Sequence, residues 1–204
     1  MNQAINPAMN PVAIAVTVED PSWTAALPEA EALVERMALA ALADADCDLG
    51  DPGTPVEISV VLADDDTVRG LNRDWRGKDK PTNVLSFATL DDEDAPVVAG
   101  APLLLGDIIL AFGVCRDEAA AMGKPLAEHF SHLVVHGVLH LLGYDHEEDE
   151  AEAEEMEGLE TAILARFGIA DPYGPADNEV AGADGPTART DAGAAEHDIA
   201  EGGR

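Results

Sequence analysis

Two histidines, His136 and His140, sit four residues apart inside an apolar run, and a third, His146, follows three residues after Gly143. On a helix, positions i and i+4 lie on one face a single turn apart, so both rings can point at one atom. Gly143 can adopt the left-handed conformation that ends a helix and lets the chain turn back, bringing His146 to the other two. Three imidazoles around one open position form the ligand set of a catalytic zinc site. Residues 136–146 therefore read as a metal centre built from His136, His140 and His146. His129 and His132 continue the same helical stripe in steps of three, four and four. They lie a turn or more from where His146 can reach, which suits packing or outer hydrogen bonding. His197, far down a polar tail, does not read as a ligand.

The spacing H-x-x-x-H-x-x-G-x-x-H is that of a class of zinc peptidases in which a Glu after the first His acts as general base. Gly137 occupies that position, so a peptidase of this design would lack its base. A zinc ion lowers the pKa of its water to about 7 without help from a carboxylate. Asp145 reads equally as an orienting group for the site and as a turn-forming residue.

A second constellation is basic. Five of the eleven Lys and Arg residues fall between positions 69 and 80: Arg69, Arg73, Arg76, Lys78 and Lys80. Arg69 and Arg73 are explained well enough by a solvated helix face. Arg76, Lys78 and Lys80 lie in a connection leading to a strand, where site residues are often carried. An Arg there can stabilise a phosphodiester transition state through paired hydrogen bonds.

The surrounding chain is strongly acidic, with 41 Asp and Glu and a formal net charge of -30 over 204 residues. That sum alone argues against a nucleic-acid partner, because phosphate binding needs cations; the concentration of cations in one segment reopens the question. Cys47 and Cys115 are in no zinc-type spacing and read as small apolar fillers in a reducing compartment. The first residues have neither the cationic start nor the apolar stretch of a secretory signal, and no run is long enough to span a membrane. The expected location is cytoplasmic.

The elements that must hold these groups alternate along the chain. Residues 1–11 read as a flexible lead-in and 12–170 as one domain. Strands are expected at 12–18, 56–62, 82–88 and 103–111, each rich in β-branched or large apolar residues. Helices are expected over 23–43, from a cap at Asp64 to Trp75, over 116–122, over 126–142, and after the acidic cluster at 147–155. Val68, Leu71 and Trp75 are the expected buried stripe of the second helix; Met156, Leu159, Ile163 and Phe167 that of the last. From Asp171 onward Gly, Ala, Asp, Pro and Thr dominate, so 171–204 reads as a disordered acidic tail.

These segments carry a family likeness. HGVLHLLGYDH at 136–146 and LNRDWRGKDKPTNVLSF at 71–87 resemble the signatures of the YbeY endoribonuclease family, and LGDI at 105–108 fits its next strand. The resemblance runs from about Val12 to Phe167, excludes the tail, and departs mildly at Asn83, where the family often has Asp. It implies an α/β (α+β) fold with a four-stranded mixed sheet, mostly parallel with one antiparallel strand, packed with helices and carrying a zincin-like metal-binding helix. It also implies one Zn2+ per chain on His136, His140 and His146, and a functionally essential Arg76. The implied activity is single-strand-specific endoribonuclease cleavage in ribosomal RNA maturation, at the 3′ end of small-subunit rRNA, and in ribosome quality control. The implied partners are single-stranded RNA, rRNA, and the small subunit or its assembly factors. Two alternatives stand beside this: a peptidase-like metallohydrolase, and a ribosome-assembly factor with a structural metal. Water and the RNA 2′-OH both remain candidate nucleophiles.

Overall fold

The computed structural model describes residues 10–47, 49, 53–89, 101–144 and 150–174. The chain runs β1 (Val12–Val18), α1 (Ser22–Ala26), α2 (Ala30–Asp44), β2 (Val56–Ala63), α3 (Asp65–Arg76), β3 (Val84–Ala88), β4 (Leu103–Ala111), α4 (Phe112–Ala121), α5 (Leu126–Leu141) and α6 (Glu150–Ala165). The four strands form one sheet in the order β1-β2-β4-β3. β1 pairs with β2 and β2 with β4 in parallel, while β3 pairs antiparallel with β4. This is the mixed α/β architecture expected, with β3 on the edge.

One face of the sheet carries the main core. Val56, Ile58, Val60 and Leu62 of β2 alternate inward with Leu105, Ile108 and Leu110 of β4, and meet Val34, Met37, Phe130, Val134, Val138 and Leu141 from α2 and α5. On the other face α3 covers the β3–β4 half through Val68, packed with Leu85, Ile109 and Ala111. α5 is thus the central helix. It is buried on the sides facing sheet and α2, which leaves its histidine stripe as the side that can serve a site.

Several local features place the site. Asp64 caps α3 by accepting the Thr67 amide at 2.8 Å, as the sequence suggests. α3 ends at Gly77, which takes a left-handed φ of 69°. α4 begins at Phe112, directly off β4, rather than at Arg116 as the pattern predicts. Its cap comes from elsewhere: Asp65 Oδ1 accepts the amides of Gly113 at 2.8 Å and Val114 at 3.1 Å across 48 and 49 residues. No nearby residue signals that start. In β4, the register slips between Leu104 and Gly106 opposite Glu57 and Ile58, a β-bulge. A Cβ on Gly106 would stand 2.0 Å from the Phe87 carbonyl oxygen, so only glycine allows β3 to close on β4 here.

Two expected stripes need correction. Val68 is buried, but Trp75 is 72% exposed and packs edge-on against Phe87 of β3 at a centroid distance of 5.7 Å. α6 buries Met156, Ile163 and Leu164, while Phe167 lies beyond the helix and is exposed; a fully buried Glu160 joins the stripe instead. The 23–43 stretch, expected as one helix, is two separate helices, α1 and α2. Residues 171–174, grouped with the tail on composition, fold back onto the domain: Lys124 Nζ donates to the Pro172 carbonyl at 3.1 Å. No helix among the described residues is long and apolar enough to cross a membrane.

Candidate metal centre and cleft

α5 ends as its sequence requires. The Gly143 amide donates to the His140 carbonyl and the Tyr144 amide to the Leu139 carbonyl, each at 3.1 Å. This paired pattern, with Gly143 at a φ of 87°, is the Schellman stop that turns the chain back beside the helix. Asp145 and His146 come next and lie outside the described residues.

The four histidines of α5 have different surroundings. His136 Nε2 and His140 Nε2 face one another at 3.1 Å. Two imidazole nitrogens on a tetrahedral zinc stand about 3.3 Å apart, so this pair fits a shared ion. His136 Nδ1 meets Glu160 Oε1 at 2.8 Å, and His132 Nε2 meets Glu160 Oε2 at 2.8 Å. The Tyr173 hydroxyl donates to the same Oε2. His129 Nε2 pairs instead with Glu118 Oε2 at 2.9 Å.

Glu160 is 0% exposed, and a buried carboxylate is costly unless its oxygens are satisfied. Burial pushes its pKa up; the hydrogen bonds from His132 and His136 outweigh that and bring it to about 2. It is therefore an ionised acceptor, and the proton between it and His136 sits on Nδ1. That fixes the His136 tautomer and leaves its Nε2 lone pair turned toward His140. Burial, followed by the adjoining Glu160, pushes the Tyr173 hydroxyl up, so it stays a donor. His132, His136 and Glu160 also offer nitrogen and oxygen atoms within 4.8 Å of one another and could themselves hold a metal ion. Their 2.8 Å contacts are hydrogen-bond distances, shorter than the spacing around an ion, which favours the orienting role for Glu160. Sequence reasoning missed Glu160. Its signal was legible: an acidic residue in an apolar stripe, four after Met156 and three before Ile163.

Gly137 does not face the site at all. It is buried against the sheet, where a Cβ would meet Ile108 Cγ2 at 2.9 Å and Ser86 Oγ at 3.3 Å. The position that holds the base in the peptidase pattern is here a close helix–sheet contact with no room for Glu.

The histidines open onto a cleft of about 920 Å³. β3, at one edge of the sheet, and the two residues before it form one wall, 82–88; Trp75 and Arg76 from α3 together with Tyr144 and Tyr173 complete it. The fold thus brings Arg76 into the same cleft as His136 and His140, across 60 residues of sequence. Arg69 and Arg73 are elsewhere engaged: Arg69 forms a two-point pair with Asp79 at 2.7 and 3.1 Å, and Arg73 pairs with Asp74 at 2.7 Å, all exposed. The loop after Arg76 is pinned by buried Asn72, whose Nδ2 donates to the Lys80 carbonyl at 2.7 Å. Asn83 donates through Nδ2 to Glu118 Oε2 at 3.0 Å. An Asp at 83 would set two carboxylates against each other there, which gives the Asn a local reason.

Residues 18–168 match the family described as Endoribonuclease YbeY. A protein named Endoribonuclease YbeY from Paramagnetospirillum magneticum is 67% identical over 163 residues, 80% of this chain and 96% of that one. Another of that name from Rhodospirillum rubrum is 57% identical over 172 residues, 83% of this chain and 86% of that one. A match over about three quarters of the length, with relatives up to 67% identical, shows that the chain belongs to the YbeY endoribonuclease family.

Proposed function

We propose that this protein is a zinc-dependent endoribonuclease that cuts single-stranded RNA in ribosomal RNA maturation, at the 3′ end of the small-subunit rRNA, and in ribosome quality control in the cytoplasm. The observation that carries the metal is the pair of Nε2 atoms, His136 and His140, 3.1 Å apart and open to a cleft that also holds Arg76. His136, His140 and His146 would hold one zinc ion per chain. Zinc supplies Lewis acidity there and makes water acidic enough to ionise near neutral pH. Glu160 keeps His136 in the ligating tautomer and is itself held by His132 and Tyr173. Arg76 donates to the phosphodiester oxygens as charge builds on them, which is worth most in a site partly closed to water. Lys78 and Lys80, in the loop that Asn72 anchors, give the RNA backbone a cationic approach in an otherwise acidic molecule. Family membership supports the ribosomal substrate and, with it, the small subunit and its assembly factors as partners.

The deciding experiment is metal analysis beside cleavage of a single-stranded RNA, on the wild type and on His140→Ala. The expected result is about one zinc per wild-type chain, with the variant losing metal and cleavage together. A variant that keeps its zinc, or cleaves without it, would sink the ligand assignment.

A further inference from the structure

Trp75 is anomalous for folding. Exposing an indole leaves a large apolar area in water, and 72% of this residue is exposed, more than Leu39, Leu104, Met122, Phe167 or Tyr173. It occupies the last turn of α3, where Val68 takes the buried position facing the sheet. Its one described ring partner is Phe87, in a T-shaped contact at 64° between planes that props the indole while most of it stays exposed. It lines the cleft that contains His136 and His140, and its neighbour in sequence is Arg76. The cations of Lys78 and Lys80 follow within five residues, in a chain whose formal charge is -30. An aromatic face set among the few cations of an acidic protein matches one kind of ligand: a planar base attached to a phosphate backbone.

We propose that Trp75 is the stacking platform for one unpaired base of the RNA and thereby selects single strands over duplex. This rests on the RNA-cleaving reading above and names the residue that enforces it. A paired base is covered above and below by its neighbours and presents only edges; an unpaired base can offer its face. Stacking on Trp75 requires that face, while the adjoining backbone stays near Arg76. The contact is tolerant of base identity, because every base has a π-face.

The second tryptophan makes the test direct. Trp23 is 0% exposed, donates from Nε1 to the Ala63 carbonyl at 3.0 Å and packs among Phe112 and Phe130, so a ligand in the cleft cannot touch it. Titrating the whole protein with a 2′-O-methyl single-stranded oligonucleotide should quench the exposed tryptophan emission and shield it from acrylamide. Trp75→Ala should abolish the quenching and weaken binding by about 5- to 150-fold, the range for loss of one stacked base. Trp75→Phe should restore most of the affinity. Removing single bases along the oligonucleotide should reveal one position whose loss matters in the wild type and not in Trp75→Ala. Circular dichroism of the variants controls for folding, which truncation of so exposed a side chain should leave intact. Equal affinity of wild type and Trp75→Ala, or additive losses at every base, would overturn the stacking proposal while leaving endoribonuclease activity standing. A wild type that neither binds nor cleaves RNA would overturn both.

Discussion

Glu160→Gln is the most informative single change. The substitution keeps shape and volume but removes the charge and turns one acceptor oxygen into a donor NH2. In the wild type the two oxygens accept from His136 Nδ1, His132 Nε2 and the Tyr173 hydroxyl. The amide has a single acceptor oxygen, so a buried donor is left against another donor. Losing one hydrogen bond to a charged group costs the fold about 1.5–3 kcal/mol. Loss of an orienting carboxylate behind a metal-bound histidine lowers metal affinity by about 10- to 100-fold, or about 1.4–2.8 kcal/mol. The assay is competition for zinc against a chromophoric chelator, with urea unfolding of the metal-free proteins to separate stability from affinity. Zinc affinity within twofold of wild type would refute the orienting role. So would near-complete loss of zinc binding matched by His132→Ala, because that would make His132, His136 and Glu160 the ligand set. The expected result is a moderate loss for Glu160→Gln and a smaller one for His132→Ala.

Two further outcomes follow from the same geometry. Arg76→Glu should retain zinc, measured on the same sample, while single-turnover cleavage falls by about 100-fold or more, the usual scale for removing one donor to a developing oxyanion; full activity would exclude Arg76 from the chemistry. Gly137→Ala should lower unfolding stability by up to about 2 kcal/mol in urea, since crowding against Ile108 and Ser86 outweighs the helical preference of alanine; a more stable variant would mean that α5 can move off the sheet.

The sequence resolved what is written locally. The pair at 136 and 140, the stop at Gly143, the cap at Asp64 and four strands with their approximate limits all depend on residues within a turn or two of one another. Side-chain periodicity and backbone preference encode such features directly. The mixed sheet was reached through likeness to a family, and the two parallel pairings and one antiparallel pairing match that expectation, while the order β1-β2-β4-β3 came only from the structure. Local pattern failed where a distant partner decides. Trp75 falls on the apolar spacing of α3, yet the sheet beneath ends at its edge strand and leaves the indole beside a cleft. The start of α4 belongs to Asp65, 48 residues away.

The candidate metal centre divides in the same way. The histidines on α5 were fixed by a four-residue spacing, because an α-helix brings such positions to one face whatever surrounds it. The use of each nitrogen was not. Glu160 on another helix engages Nδ1 of His136 and turns its Nε2 toward His140, and only the packing of α6 against α5 brings it there. Gly137, which looked like a missing base, is a contact with Ile108, since one residue along a helix is a turn of about 100° toward the sheet. Spacing told which residues could share an ion; the tertiary structure decided what holds them, and which arginine and which aromatic ring share their cleft.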